Sequence, residues 1–209
     1  QSIAIDNRPG ASGALALQST ARAAADGYTL VTVPGPIIHA QRQPEVGREL
    51  GAIALMGQGP IVLVGGAANA PNSVKELIAA MKKNPTQWNY ASSGTGTGQH
   101  LAGELFNSIA GTRMVHVPYK GGGQAVTDVI SGQVSLAMLG MTPVLPHIKS
   151  GKLKAYAVTT PFRVDALPNV PTLDEAGLKG YDATQFFVAA APAATPAAVV
   201  NRLNTVIAQ

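Results

Sequence analysis

The sequence predicts an α/β protein, and three observations carry that expectation. Short apolar runs alternate with amphipathic stretches along nearly the whole chain, the pattern of successive strand–helix units. Hydrophobic residues make up 46% of the 209 positions and charged residues 12%, so there is apolar surface for a substantial core, and the balance of a disordered chain is absent. Aromatic residues are scarce at 5%, whereas there are 23 Gly and 15 Pro, which favours many short turns over a sandwich built on aromatic packing.

Taken in order, residues 3–5 read as a strand, 7–10 (NRPG) as a loop and 14–25 as a helix. Asp26-Gly27 marks a turn, and 28–33 is a strand ending at Pro34-Gly35-Pro36. Residues 41–50 are polar and weakly patterned, and 53–55 and 61–64 are strands. Ser73, followed three residues on by Glu76, forms a capping box that opens a helix running through Met81 and stopping before Pro85. A strand at 88–91 leads through a polar glycine loop into a helix at 99–109, closed by Gly111. The pattern repeats as strand 114–117, helix 124–130, strand 134–139, helix 143–150 and strand 153–159. A Pro-rich loop to Pro171, a short helix at 173–176, a strand at 186–191 and a helix at 196–207 complete the chain.

Composition also sets the function classes aside or keeps them open. The net charge is +4, but Lys and Arg are scattered and no basic run is interleaved with aromatics, so no nucleic-acid partner is expected. A mild positive balance suits an anionic small molecule. No Cys is present and none of the four His (His39, His100, His116, His147) pairs with another at metal-ligand spacing, so neither a metal nor a cofactor is expected. A lone His in an apolar strand, such as His116, reads as a satisfied core residue. Acidic residues are too dispersed for a carboxylate pair, and no general base is expected beside any serine. No apolar run is long enough to span a membrane.

The most informative segment is ASSGTGTGQHLAGELF, 91–106, where a strand runs through glycines and hydroxyls into a helix. Amides at a helix N-terminus, beside Ser92, Ser93, Thr95 and Thr97, with Gly94 and Gly96 free to take positive φ, describe an anion nest. The same residues also describe an ordinary glycine-rich turn. A dinucleotide fingerprint is excluded, because Gly98 follows Gly96 by two residues and not three, and the next strand, MVHVPY, ends without an acidic residue. Walker A and nucleophile-elbow motifs are absent. PYKGGGQA, 118–125, is a second strand–glycine–helix junction: with Lys120 and Gly122 it reads equally as a cleft-facing turn or as a tight connection with a solvated lysine. Tyr28, Trp88 and Phe186 read as packing residues, although alternation sends Phe186 and Phe187 to opposite faces, so one of them can line a cleft.

The order of the segments DNRPGASG, ADGYTL, SVKELIAAMKKNPTQWNYASSGTGTGQHLAGELF, HVPYKGGGQAVTDVISGQV, PHIKSGKLKAYAVT and RVDALPNVPTLDEAGLKGY, with APAATP behind, resembles the solute receptors of tripartite tricarboxylate transporters, the Bug family, from Asn7 to Pro196. The resemblance implies a two-lobed periplasmic binding protein of type II, with the ligand in the cleft between the lobes: residues 1–64 completed by 187–209 in one lobe, and 65–186 in the other. It implies a monomer that captures a small organic acid, delivers it to membrane permease subunits and catalyses nothing. In that family two loops hold the near carboxylate, partly through water. The first follows a strand that lies ahead of this chain; the second corresponds to 92–98. The chain departs from the family at 37–52, at Ser135 where Asp is frequent, and at Phe186 where Trp is frequent.

The candidate ligand-binding residues are therefore Pro36, Ser92, Ser93, Gly94, Thr95, Gly96, Thr97, Lys120, Gly122 and Phe186. An enzyme using the same anion pocket, and a ligand-sensing regulatory domain, remain the alternatives. QSIAIDNRPG reads as a strand under way, and VVNRLNTVIAQ stops within a helical pattern. The expectation is a chain trimmed at both ends, with an export signal upstream.

Overall fold

The computed structural model describes residues 2–8, 13–35, 48–68 and 71–209. The chain divides into two compact units, Gln1–Gln58 with Phe186–Gln209, and Gly59–Gln185.

In the first unit, β1 (Val31–Pro34), β2 (Leu50–Gly59) and β8 (Gln185–Pro192) form a sheet of order β1-β8-β2, accompanied by α1 (Ala14–Ala21) and α6 (Ala197–Ile207); Gly59 and Gln185, at the ends of β2 and β8, count with the second unit. β8 runs antiparallel to β1, with Val31 opposite Ala190 and Val33 opposite Val188. Its run of alanines serves both faces by period-two alternation: Ala190 joins Leu17, Val31, Val33 and Leu50, while Ala189 and Ala191 meet Ile53 and the α6 residues Val200 and Leu203. Gly27 adopts φ +85°, the turn at Asp26-Gly27 being fixed by the Tyr28 amide donating to Asp26 Oδ1 at 3.0 Å.

The second unit is a five-stranded sheet of order β5-β4-β6-β3-β7, comprising β3 (Ile61–Gly66), β4 (Asn89–Ser92), β5 (Val115–Pro118), β6 (Leu136–Gly140) and β7 (Leu153–Val158). β4 is parallel to both β5 and β6, and β3 is antiparallel to β6 and β7. Because β3 is central and covered on both faces, it reads as one continuous apolar run, IVLV, wholly buried. Ile61 and Leu63 enter one core with Leu136, Met138 and Tyr90 under α2 (Val74–Lys83) and α3 (Gly98–Ala110). Val62 and Val64 enter the other, with Ala137 and Leu139, under α4 (Gly122–Ile130) and α5 (Met141–Lys149). At two positions a helix packs closely because a side chain is missing: a Cβ on Gly103 of α3 would lie 2.1 Å from the Tyr90 ring, and one on Gly66 of β3 2.9 Å from the Val129 carbonyl.

Thr159, fully buried at the end of β7, joins the two places where the chain enters and leaves this unit. Its Oγ1 accepts from the Ile61 amide at 3.0 Å and lies 2.8 Å from the Ala183 carbonyl.

Several expectations are corrected. Residues 61–64 belong to the second unit, not the first, because β3 pairs with β6 and β7 and the contacts change over at Gln58/Gly59. Residues 3–5 are not a strand: no described strand pairs with them, and Ile3 is 90% exposed. Residues 173–176 form turns and not a helix. Thr172 and Glu175 make the reciprocal capping bonds, at 3.0 Å each, but Gly177 at φ +108° and Gly180 at φ +77° end the turn before a helix propagates. Tyr28 is not a packing residue, being 78% exposed.

Candidate functional site

Because β4, β5 and β6 are parallel neighbours, the junctions that follow them lie at one edge of the second unit. Residues 93–97 lead into α3, 119–121 into α4, and Gly140 directly into α5. Three helix N-termini therefore share the carboxyl-end edge of the sheet, the place where open α/β sheets present backbone donors to ligands.

The 92–98 loop brings Ser92, Ser93, Gly94, Thr95, Gly96 and Thr97 together, with Gly94 at φ +137° and Gly96 at φ +81°. Its amides are largely consumed within the loop, which the sequence expectation of unpaired donors did not anticipate. Ser93 N–H donates to Gln99 Oε1 (2.9 Å), Gly94 N–H to Ser92 Oγ (3.1 Å) and Gly96 N–H to His100 Nδ1 (3.2 Å). Thr97 Oγ1 donates to the Gly94 carbonyl at 2.7 Å and accepts from His100 N–H at 3.3 Å, so it both closes the loop and caps α3. Thr95 is exposed, and neither its amide nor its hydroxyl has a partner among the described residues.

Ser92 is fully buried, and its Oγ lies 2.6 Å from His116 Nε2. The expectation that no base stands beside a serine is thus corrected. The pair is 24 residues apart in sequence and meets because β4 and β5 are adjacent, with Tyr90 opposite and stacked near His116. His100 packs its ring 4.2 Å from that of His116, centroid to centroid. Burial first, with His100 adding and Glu104 opposing, pushes the His116 imidazole down to about 4, so it is neutral at pH 7. Tyr90, its phenol pushed up by burial and by Glu104, donates to Glu104 Oε1 at 2.7 Å. Among the described residues no group of three or more His, Asp or Glu is placed to hold a metal.

The second junction differs. Gly121, at φ +149°, precedes α4 without any side-chain cap. Lys120 is exposed, with no ion partner among the described residues. Gly122 fills a packing role, since a Cβ there would come 2.8 Å from Pro143 Cγ. Phe186 lies in the first unit, where its ring covers Gly35 so closely that a Cβ would overlap it; Phe187 on the opposite face is exposed. Pro36 lies outside the described residues, as does His39.

Sequence reasoning missed Gln99 and Gln185. Gln99 Nε2 donates to Gln185 Oε1 at 3.0 Å, across 86 residues. Both side-chain amides lie over Gly140, where a Cβ would be 3.7 Å from Gln185 Nε2 and 3.8 Å from Gln99 Nε2. The one signal in the sequence was a polar residue, Gln99, on the buried face of a helix otherwise carrying Ala102, Gly103 and Phe106 inward.

All 209 residues match the family described as the tripartite tricarboxylate transporter family receptor. A protein of Agrobacterium vitis from the TAR-I ttuE–ttuC′ intergenic region is 35% identical over 98% of this chain and 60% of its own length. Rpa4515 of R. palustris, solved with adipate, superposes with a TM-score of 0.90 at 32% identity, covering 98% of this chain and 71% of that one. MatC from Rhodopseudomonas palustris, solved with bound malate, gives a TM-score of 0.86 at 27% identity over 95% of this chain and 70% of that one. The chain spans about three fifths of the length of such curated relatives, 60% and 62% in two of them.

Proposed function

Because the chain belongs to the tripartite tricarboxylate transporter family of receptors, we propose that it captures a small organic carboxylate and hands it to the membrane permease subunits of a secondary transporter. Its place is the periplasm, and it works as a monomer without cofactor or metal. The observation that carries this reading is the edge of the second unit, where three strand-to-helix junctions bring helix N-termini and hydroxyls together. That arrangement complements an anion. Two solved relatives, one with adipate and one with bound malate, support a carboxylate as the ligand class. Ser93, Gly94, Thr95, Gly96 and Thr97 form the carboxylate-facing loop, with Ser92 beneath them, and Lys120 and Gly122 lie at the second junction.

The Ser92–His116 pair favours a second reading, acyl transfer. Against it, Ser92 Oγ is buried and already engaged with its own loop, leaving no approach for a carbonyl carbon. Catalysis is therefore not part of the proposed function. A thermal-shift and calorimetric screen against malate, adipate and other carboxylates tests the choice. An acid present at about 100 times its dissociation constant should add about 2.7 kcal/mol of stability. A flat response to every acid sinks the receptor reading, and hydrolysis of an activated ester that Ser92→Ala abolishes revives the enzyme.

A further inference from the structure

The Ser93–Gln99–Gln185 chain has a direction that the backbone dictates. A peptide N–H can only donate, so the 2.9 Å contact from Ser93 turns the Gln99 amide with its oxygen toward the loop. Gln99 Nε2 must then face Gln185, and at 3.0 Å it requires the Gln185 oxygen to face back. The usual ambiguity between amide oxygen and nitrogen is thereby removed at both glutamines. What is left over is the Gln185 Nε2 group: its N–H donors have no acceptor among the described residues, and it sits over Gly140 at the edge that carries the 92–98 loop. Gln99, only 7% exposed, is held by a bond at each end, so it acts as a rigid spacer.

We propose that Gln185 is a specificity-determining residue that donates a hydrogen bond to an acceptor oxygen of the captured acid, oriented for that task through Gln99 by the Ser93 amide. This rests on the carboxylate-receptor reading. A neutral donor fixed in this way favours a carboxylate, carbonyl or hydroxyl oxygen and disfavours an ammonium group, which has no lone pair to offer. The ligand class it selects is therefore an organic acid without an amino group at that end.

The test is Gln185→Glu, which keeps the shape and the oxygen that faces Gln99 but replaces the outward donor by a charged acceptor. With malate and adipate as probes, affinity should fall at least about tenfold at neutral pH. The ratio of variant to wild-type affinity should then recover as pH falls toward about 4.3, where a glutamic carboxyl regains a proton to donate. Gln185→Met, which buries no charge, should lose affinity without that pH-dependent recovery, and it serves if the Glu variant fails to fold by circular dichroism. Wild-type affinity in Gln185→Met, or in a folded Gln185→Glu at neutral pH, overturns the assignment of Gln185 alone. A wild-type protein that binds none of the acids overturns the receptor reading, and the role of Gln185 with it.

Discussion

The junctions after β4 and β5 contain similar residues and behave differently. Both pass from a parallel strand through glycines into a helix. In the first, four amides end on Gln99, Ser92, His100 and the Gly94 carbonyl, and Thr97 caps α3. In the second, Gly121 offers α4 no side-chain cap, and Lys120 stands exposed. The first loop is over-determined and the second is open. Glycine content alone therefore does not identify an anion nest; what matters is whether neighbouring hydroxyls and imidazoles have already used the donors. The first loop offers a fixed shape with few free groups, the second free charge on a loosely specified frame.

The largest way to break this contrast is Gly96→Val. At φ +81° a β-branched residue is strained, and the Gly96 bond to His100 depends on that conformation. The expected result is a loss of more than about a hundredfold in carboxylate affinity by calorimetry, with about 1–3 kcal/mol lost in denaturant melts. A variant that binds as tightly as wild type shows that the loop shape is immaterial. Thr97→Val sharpens the same point. It removes the α3 cap and the clasp on Gly94 while keeping the volume, so stability should drop by about 1 kcal/mol, with a severalfold loss of affinity. No comparable variant exists in the second junction, where nothing caps α4.

A pH titration probes the first loop in another way. Because folding holds His116 neutral down to about 4, against an ordinary value of 6.5, the unfolded chain takes up the proton first. Stability from this group is fully present above about 6.5 and is lost as pH falls through the window down to about 4. Ser92, His100, Tyr90 and Glu104 are the groups that face or act on the ring. Melting temperatures of wild type and His116→Gln, followed from pH 7 to about 4, should converge toward the acid end; parallel curves would remove His116 from the account. The smallest effect is expected at the open junction. Lys120→Ala should weaken binding by no more than about threefold at low salt, and the difference should vanish near 1 M salt, where the Debye length is about 3 Å. A salt-independent loss would mean that Lys120 touches the ligand directly.

Local signals in the sequence carried most of the second unit. The apolar run of β3, the Ser73–Glu76 box and Gly111 each translate into structure without help from afar, the box through Glu76 N–H donating to Ser73 Oγ at 3.2 Å and Gly111 through φ +64°. The failures are instructive in the opposite sense. Thr172 and Glu175 carry a genuine helix-start signal, yet too few residues follow before Gly177 for a helix to repay its nucleation. Residues 3–5 have strand composition, but composition supplies no pairing partner. In the candidate site the loop 92–98 was legible, because glycines and hydroxyls are contiguous. The groups that set its shape were not: His116 reaches Ser92 from the neighbouring strand, and Gln185 reaches Gln99 from 86 positions away. Those meetings are products of strand order, which residue spacing does not encode.

The hydroxyl of Thr159 works as a single bolt through two straps. One strap is the chain entering the second unit at Gly59 and held at Ile61; the other is the chain leaving after Ala183 on its way to Gln185. With one proton and two lone pairs, that oxygen ties the amide of the first to the carbonyl of the second, inside a buried site where water does not compete. The two straps therefore share one anchorage, so that slack in either is felt at once by the other.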